Sequence, residues 1–146
     1  MDLQESIQQF YFSMTVNDLR RLHRGSGAEL SYNSVMYLDL ISYHSGREGG
    51  CTVSGLAKLL GVSKPAVTMK VNELAAMGLV ERVQNPGDKR VYHLRVSRCV
   101  EESLESYDLP LRRGMRRVRE RFTPEQIESF CAILDTFSKE FSVEEP

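Results

Sequence analysis

Residues 63 to 78 read Ser63-Lys64-Pro65-Ala66-Val67-Thr68-Met69-Lys70-Val71-Asn72-Glu73-Leu74-Ala75-Ala76-Met77-Gly78, and both ends of a helix are written into them. Ser63 is suited to accept from the free N–H groups of a first turn, and Pro65 falls inside that turn, where its missing donor costs little. Gly78 follows the last periodic residue and supplies the left-handed conformation that closes a helix. At about 100° per residue, Val67, Val71 and Leu74 line one apolar stripe. Pro65, Thr68, Met69 and Asn72 fall on the opposite side, with Lys64 and Lys70 at the margins. Taken alone, the stretch reads as an ordinary surface helix, and its neighbours decide otherwise.

Upstream, Thr52 to Leu60 reads as a short helix with Leu56, Ala57 and Leu60 inward, and Gly61-Val62 makes the tight turn into Ser63. Downstream, Leu79 to Val83 and Val91 to Val96 are strand-like, the second alternating Tyr92, Leu94 and Val96 against His93 and Arg95. Between them Gln84 to Arg90 forms a turn with a basic tip, and Cys51 to Val53 is placed to add a third short strand. A helix-turn-helix followed by a hairpin is a winged helix, whose second helix suits the major groove and whose wing suits the backbone or minor groove. The fold class expected is therefore mainly α with a small β-hairpin wing.

Charge points the same way. Residues 51 to 97 hold seven Lys/Arg against three Asp/Glu, a net of +4, while the rest of the chain holds twelve against seventeen, a net of −5. An overall charge of −1 and a pI near 6.3 speak against nucleic acid, but a phosphate meets the local distribution and not the total.

The stretches Leu56-Ala57-Lys58-Leu59-Leu60, Ser63-Lys64-Pro65-Ala66-Val67-Thr68, Leu74 with Gly78-Leu79-Val80, and Asp88-Lys89-Arg90 resemble the MarR (multiple antibiotic resistance regulator) family of bacterial winged-helix transcription factors. The flanking helices match in order and length, so the resemblance covers nearly the whole chain. It implies a transcriptional regulator, a repressor, that binds an inverted repeat in double-stranded DNA as a homodimer and is released by a small aromatic ligand. In the wing, Asp88 is expected to hold Arg90 for the minor groove, with Lys89 on a phosphate. Ser63, Lys64 and Lys70 are expected at phosphates. Pro65, Thr68, Met69 and Asn72 are expected at bases, Met69 through apolar contact with a thymine methyl and Asn72 with adenine. Met69 stands where relatives often carry Arg or Gln, and Lys70 where an aliphatic residue is common. Tyr11, Met14, Tyr37 and Tyr107 are the expected lining of a ligand site. The competing reading is a winged helix that binds protein, for which affinity would depend only weakly on salt.

Around the winged module lie helices with much apolar surface. Leu3, Ile7, Phe10, Tyr11, Met14 and Leu22 recur at helical spacing from Leu3 to Arg24, and Gly25-Ser26-Gly27 breaks that helix. Ser31 is expected to cap a helix running to about Tyr43, burying Val35, Leu38 and Ile41, with His44-Ser45-Gly46 ending it. Ser97 is expected to cap a long helix that holds Glu101, Glu102 and Glu105 first and Arg112, Arg113, Arg116, Arg117, Arg119 and Arg121 later, kinked at Pro110. Thr123-Pro124-Glu125-Gln126 restarts a helix with Ile127, Phe130, Cys131, Leu134, Phe137 and Phe141 on one side, and Val143 to Pro146 frays. By periodicity, burial between two chains and burial in an intramolecular bundle serve equally; the resemblance favours the dimer. The chain then divides into residues 1–30 and 98–146 for dimerisation and 31–97 for DNA.

The 146 residues, 41% apolar, suffice for one domain with arms. The N-terminus has no signal-peptide or membrane run, so the cytoplasm is expected. Cys51, Cys99 and Cys131 lack metal-type spacing and suit a reducing compartment, with Cys99 and Cys131 read as small buried residues. His23, His44 and His93 form no i, i+4 pair. Without a phosphate-binding Gly loop, a nucleophile elbow or a metalloprotease helix, no enzyme, cofactor, metal or membrane partner is expected.

Overall fold

The structure, a computed structural model, describes residues 1–24 and 30–142, with only the backbone of His23, Arg24 and Tyr107. The expected break at Gly25-Ser26-Gly27 and the fraying from Val143 to Pro146 lie outside the described residues. In chain order the elements are α1 (Leu3–Arg24), α2 (Tyr32–Ser45), α3 (Val53–Leu60), α4 (Lys64–Ala76), β1 (Val80–Gln84), β2 (Tyr92–Val96), α5 (Arg98–Tyr107), α6 (Leu109–Arg121) and α7 (Pro124–Glu140). The fold is mainly α with one antiparallel hairpin, a winged helix-turn-helix. It divides into two compact units, residues 1–102 and 103–146.

In the first unit the ends of the helices are set by local chemistry. Ser31, Thr52 and Ser63 each stand in extended backbone and accept a hydrogen bond from the N–H three residues on, at Ser34, Gly55 and Ala66. A cap of this kind contributes about 1 kcal/mol. At the other ends, Gly61 and Gly78 take positive φ of 64° and 72°. Their own N–H groups reach Lys58 and Ala75, and the following N–H groups of Val62 and Leu79 reach Ala57 and Leu74, which closes both helices by the same paired motif. The α3–α4 turn is thus made by backbone hydrogen bonds around one glycine.

The core of this unit is drawn from every element except α1. Val35, Leu38 and Ile41 of α2, Leu56 and Ala57 of α3, the Val67, Val71 and Leu74 stripe of α4, and Val80, Leu94 and Val96 of the hairpin are all buried. The hairpin pairs Val80 with Val96 and Gln84 with Tyr92. Full burial of each aliphatic side chain is worth about 1.5 to 3 kcal/mol. Helix α1 joins through an Arg21–Asp39 ion pair at 2.7 Å to α2, bidentate and mostly sheltered on the arginine side. Nearby, partial burial foremost, then the Asp39 carboxylate, raises the Asp18 carboxyl above its ordinary range against the pull of Arg21.

Four expectations are corrected here. Cys51 to Val53 is not a strand: Cys51 accepts one hydrogen bond from the Leu94 N–H at 2.7 Å, and Val53 already begins α3. Leu60 is 37% exposed because the chain leaves the helix at Gly61 directly after it, and no further turn covers it. Tyr92 shares the inner face with Leu94 and Val96 but sits at the far end of the hairpin and is exposed. The long helix after the wing is two helices, α5 and α6, interrupted at Asp108; Pro110 has no N–H to offer Ser106, so the ladder stops and α6 restarts with Pro110 in its first turn. Ser97 opens α5 through its carbonyl, which accepts from Val100 and Glu101, while its hydroxyl lies 3.1 Å from Cys99 Sγ.

In the second unit α6 and α7 carry no buried residue. Thr123 and Gln126 form the expected reciprocal capping box at the start of α7. Leu111, Met115 and Val118 of α6 and Phe130, Ile133 and Leu134 of α7 are exposed in the single chain, as are Phe10, Tyr11, Phe12 and Met14 of α1. No helix among the described residues is long and apolar enough to cross a membrane.

Candidate nucleic-acid interface

With Val67, Val71 and Leu74 fully buried, α4 has no rotational freedom, and the residues between them must face outward. Ser63, Lys64, Pro65, Thr68, Met69 and Asn72 are all exposed, Met69 at 70%. The structure therefore gathers six of the seven expected residues of this stretch on one open face. Lys70 is the exception. Its Nζ turns back to donate to Ser34 Oγ of α2 at 3.2 Å and pairs with Glu73 at 3.0 Å. Ser34 is itself buried and bonded to Ser31 Oγ at 3.0 Å, so Lys70 ties α4 to the start of α2 and is not directed at a phosphate.

A residue that the sequence reading passed over completes this face. Arg82 of β1 donates from Nη2 to the Asn72 Oδ1, joining the hairpin to α4. In sequence Arg82 is one charge in an alternating strand, and its partner is ten residues away across a turn. Only the register that sets Arg82 opposite Leu94, on the face turned toward α4, reveals it.

The wing is built from the same kind of local bonding. The Asn85 side chain accepts from the Gly87 N–H at 2.8 Å and approaches His93 Nε2 at 3.1 Å, and the Gln84 amide donates to the Lys89 carbonyl. Asp88 accepts from the Arg90 backbone N–H at 3.0 Å and from its guanidinium Nε at 3.2 Å. The pair expected from the sequence is present, although it belongs to a turn and not to a strand face. Arg90's backbone N–H foremost, then its side chain, holds the Asp88 carboxyl below the usual carboxylate range. A carboxyl lowered in this way is charged and bonded at neutral pH, and the arrangement is lost as pH falls through the lowered value. The Arg90 side chain is 91% exposed, so the pair adds little to stability while aiming a fixed guanidinium outward.

Other expected sites fare differently. Tyr37 is buried in the core, Tyr11 and Met14 are exposed on α1, and the Tyr107 side chain lies outside the described residues. A cleft of about 220 Å³ that includes Cys51 and His93 in its lining contains none of them. Cys99 and Cys131 are exposed in the single chain, against the expectation of burial; on α5 it is Val100, one residue on from Cys99, that enters the core. Cys51 is the buried thiol, and burial pushes its pKa up to about 11. Alkylation of the folded protein, followed by mass spectrometry, should leave Cys51 unmodified until denaturant is added; modification under native conditions would contradict its placement. Among the described residues no group of three His, Cys, Asp or Glu is arranged to hold a metal ion.

Residues 29–91, which span α2 to the wing, match the model of the MarR family. The chain is 28% identical over 88 residues to the uncharacterized HTH-type transcriptional regulator YwhA of Bacillus subtilis (strain 168); the match takes in 60% of this chain and 63% of that relative. Its fold is similar to that of a mutant MepR from a multidrug-resistant S. aureus clinical isolate, with a TM-score of 0.70 at 15% identity, covering 97% of this chain and 99% of the other. A second MepR mutant, solved bound to an oligodeoxyribonucleotide, gives a TM-score of 0.57 at 15% identity over 97% and 99% of the two chains.

Proposed function

We propose, on the match of residues 29–91 to the model of the MarR family, that the chain is a transcription regulator of that family and represses transcription as a homodimer bound to an inverted repeat in double-stranded DNA. One observation carries the reading: the outer face of α4 presents Lys64, Pro65, Thr68, Met69 and Asn72 without a covering element, beside a wing whose tip holds an oriented Arg90. Such a helix fits the major groove, and such an arginine fits the narrow minor groove beside it. The MepR relative bound to an oligodeoxyribonucleotide supports the use of this fold on DNA. Ser63 and Lys64 at the helix start and Lys89 on the wing take phosphates, while Lys70 serves the seating of α4.

Dimerisation is assigned to α1 and to residues 98–146, whose exposed Phe10, Tyr11, Phe12, Phe130, Ile133 and Leu134 exceed what a lone small chain leaves in water. Sedimentation at micromolar concentration should give a single two-chain species, and a stable monomer would refute the assignment. The function itself is tested by selecting duplexes from a random pool with the purified protein. The expected product is an inverted repeat with half-sites about one helical turn apart. Retention of DNA without any enriched sequence would favour a non-specific binder, and no retention at low salt would favour the protein-binding reading.

A further inference from the structure

Asn72 is one of the exposed residues of α4, and its amide is not free to turn. A guanidinium has donors and no acceptor, so the atom of Asn72 that faces Arg82 Nη2 must be the oxygen. The Asn72 amino group is therefore directed away from the hairpin. Asparagine reads adenine by accepting from the adenine amino group and donating to its ring nitrogen at once. Here one lone pair of the accepting oxygen is already taken by Arg82, and the positive charge beside it opposes the hydrogens of an adenine amino group at the other. What dominates at this position is the Asn72 amino group next to the other N–H groups of Arg82, a donor-rich, positively charged row. Guanine offers the matching row in the major groove, two acceptors at N7 and O6.

We propose that Arg82 is a specificity-determining residue: by holding the Asn72 oxygen it makes this position of α4 a donor surface that selects guanine and rejects adenine. This rests on the DNA-binding reading above. It also replaces the adenine expected for Asn72 from the sequence alone, which assumed both halves of the amide to be available. Arg82 reaches Asn72 because β1 places it opposite Leu94, on the hairpin face turned toward α4.

The test is selection from one random duplex pool, at one salt concentration, with the full chain and its Asn72→Ala, Arg82→Ala, Arg82→Met and Arg82→Lys variants. Asn72→Ala identifies the position, as the one whose preference it erases. At that position the unaltered protein and Arg82→Lys, which still donates to the oxygen, should enrich guanine. Arg82→Ala should move the ratio toward adenine by about tenfold or more. Arg82→Met keeps the length of the side chain and removes every donor, and it should give the same shift if the alanine variant folds poorly. Adenine at that position in the unaltered protein would overturn the proposal, as would an Asn72→Ala variant that erases no preference. A loss of affinity in both Arg82→Ala and Arg82→Met with guanine still enriched would reduce Arg82 to a tether between wing and helix. If the unaltered protein enriches no sequence at all, the regulator reading falls, and this inference with it.

Discussion

Leu74→Ala should lower the stability of the protein by about 2 to 5 kcal/mol, because the side chain is fully buried and the truncation removes its contacts while leaving a cavity. The position is also where α4 is closed: the Leu74 carbonyl accepts the Leu79 N–H at 3.0 Å as Gly78 turns the chain into the hairpin. A softened seat there loosens both the recognition helix and the root of the wing. Met69→Ala, five residues earlier on the same helix but 70% exposed, should change stability by less than about 0.5 kcal/mol. Denaturant titration of the two variants separates the faces of α4. Equal losses would mean that the helix is not seated on the stripe of Val67, Val71 and Leu74.

Arg90→Ala should leave the fold intact and weaken binding to the selected operator by roughly five- to 150-fold. Its side chain touches little of the protein beyond Asp88, so the loss is one of contact with DNA. Asp88→Ala should act in the same direction and less strongly, since it removes the orientation of the guanidinium but not its charge. Unchanged affinity in Arg90→Ala would leave the wing with no part in binding. Because the Asp88 carboxyl sits below its usual range, its arrangement with Arg90 should persist at mildly acidic pH and fail only as the carboxyl protonates.

The parts of this structure that were legible in the sequence are those decided within a turn or two of the chain. Ser31, Thr52, Ser63 and Thr123 announce helix starts because a short hydroxyl side chain has few better uses beside a free N–H. Gly61 and Gly78 announce helix ends because the left-handed conformation is cheap only for glycine. The Asp88–Arg90 pair was legible for the same reason, being two residues apart. What escaped depends on register and on competition between partners. Lys70 looked like a phosphate ligand until Ser34 and Glu73 proved close enough to hold it. Arg82 carried no signal without the pairing of β1 and β2. Pro110 was expected to bend one helix, but it sits where the loss of one donor and the clash of its ring suffice to split the ladder at Asp108. Leu60 and Tyr92 obey the periodicity of their elements and fail only because each stands at an end, where periodicity no longer guarantees cover.

The central claim, that this winged module binds DNA through α4 and the wing, is tested most directly by titrating the selected operator across a range of salt concentrations with the unaltered protein and Arg90→Ala. Logarithmic affinity should fall linearly and steeply with the logarithm of salt, with a shallower slope in the variant by about one released counterion per arginine lost. Affinity that barely changes with salt, or a slope identical in the two proteins, would contradict it.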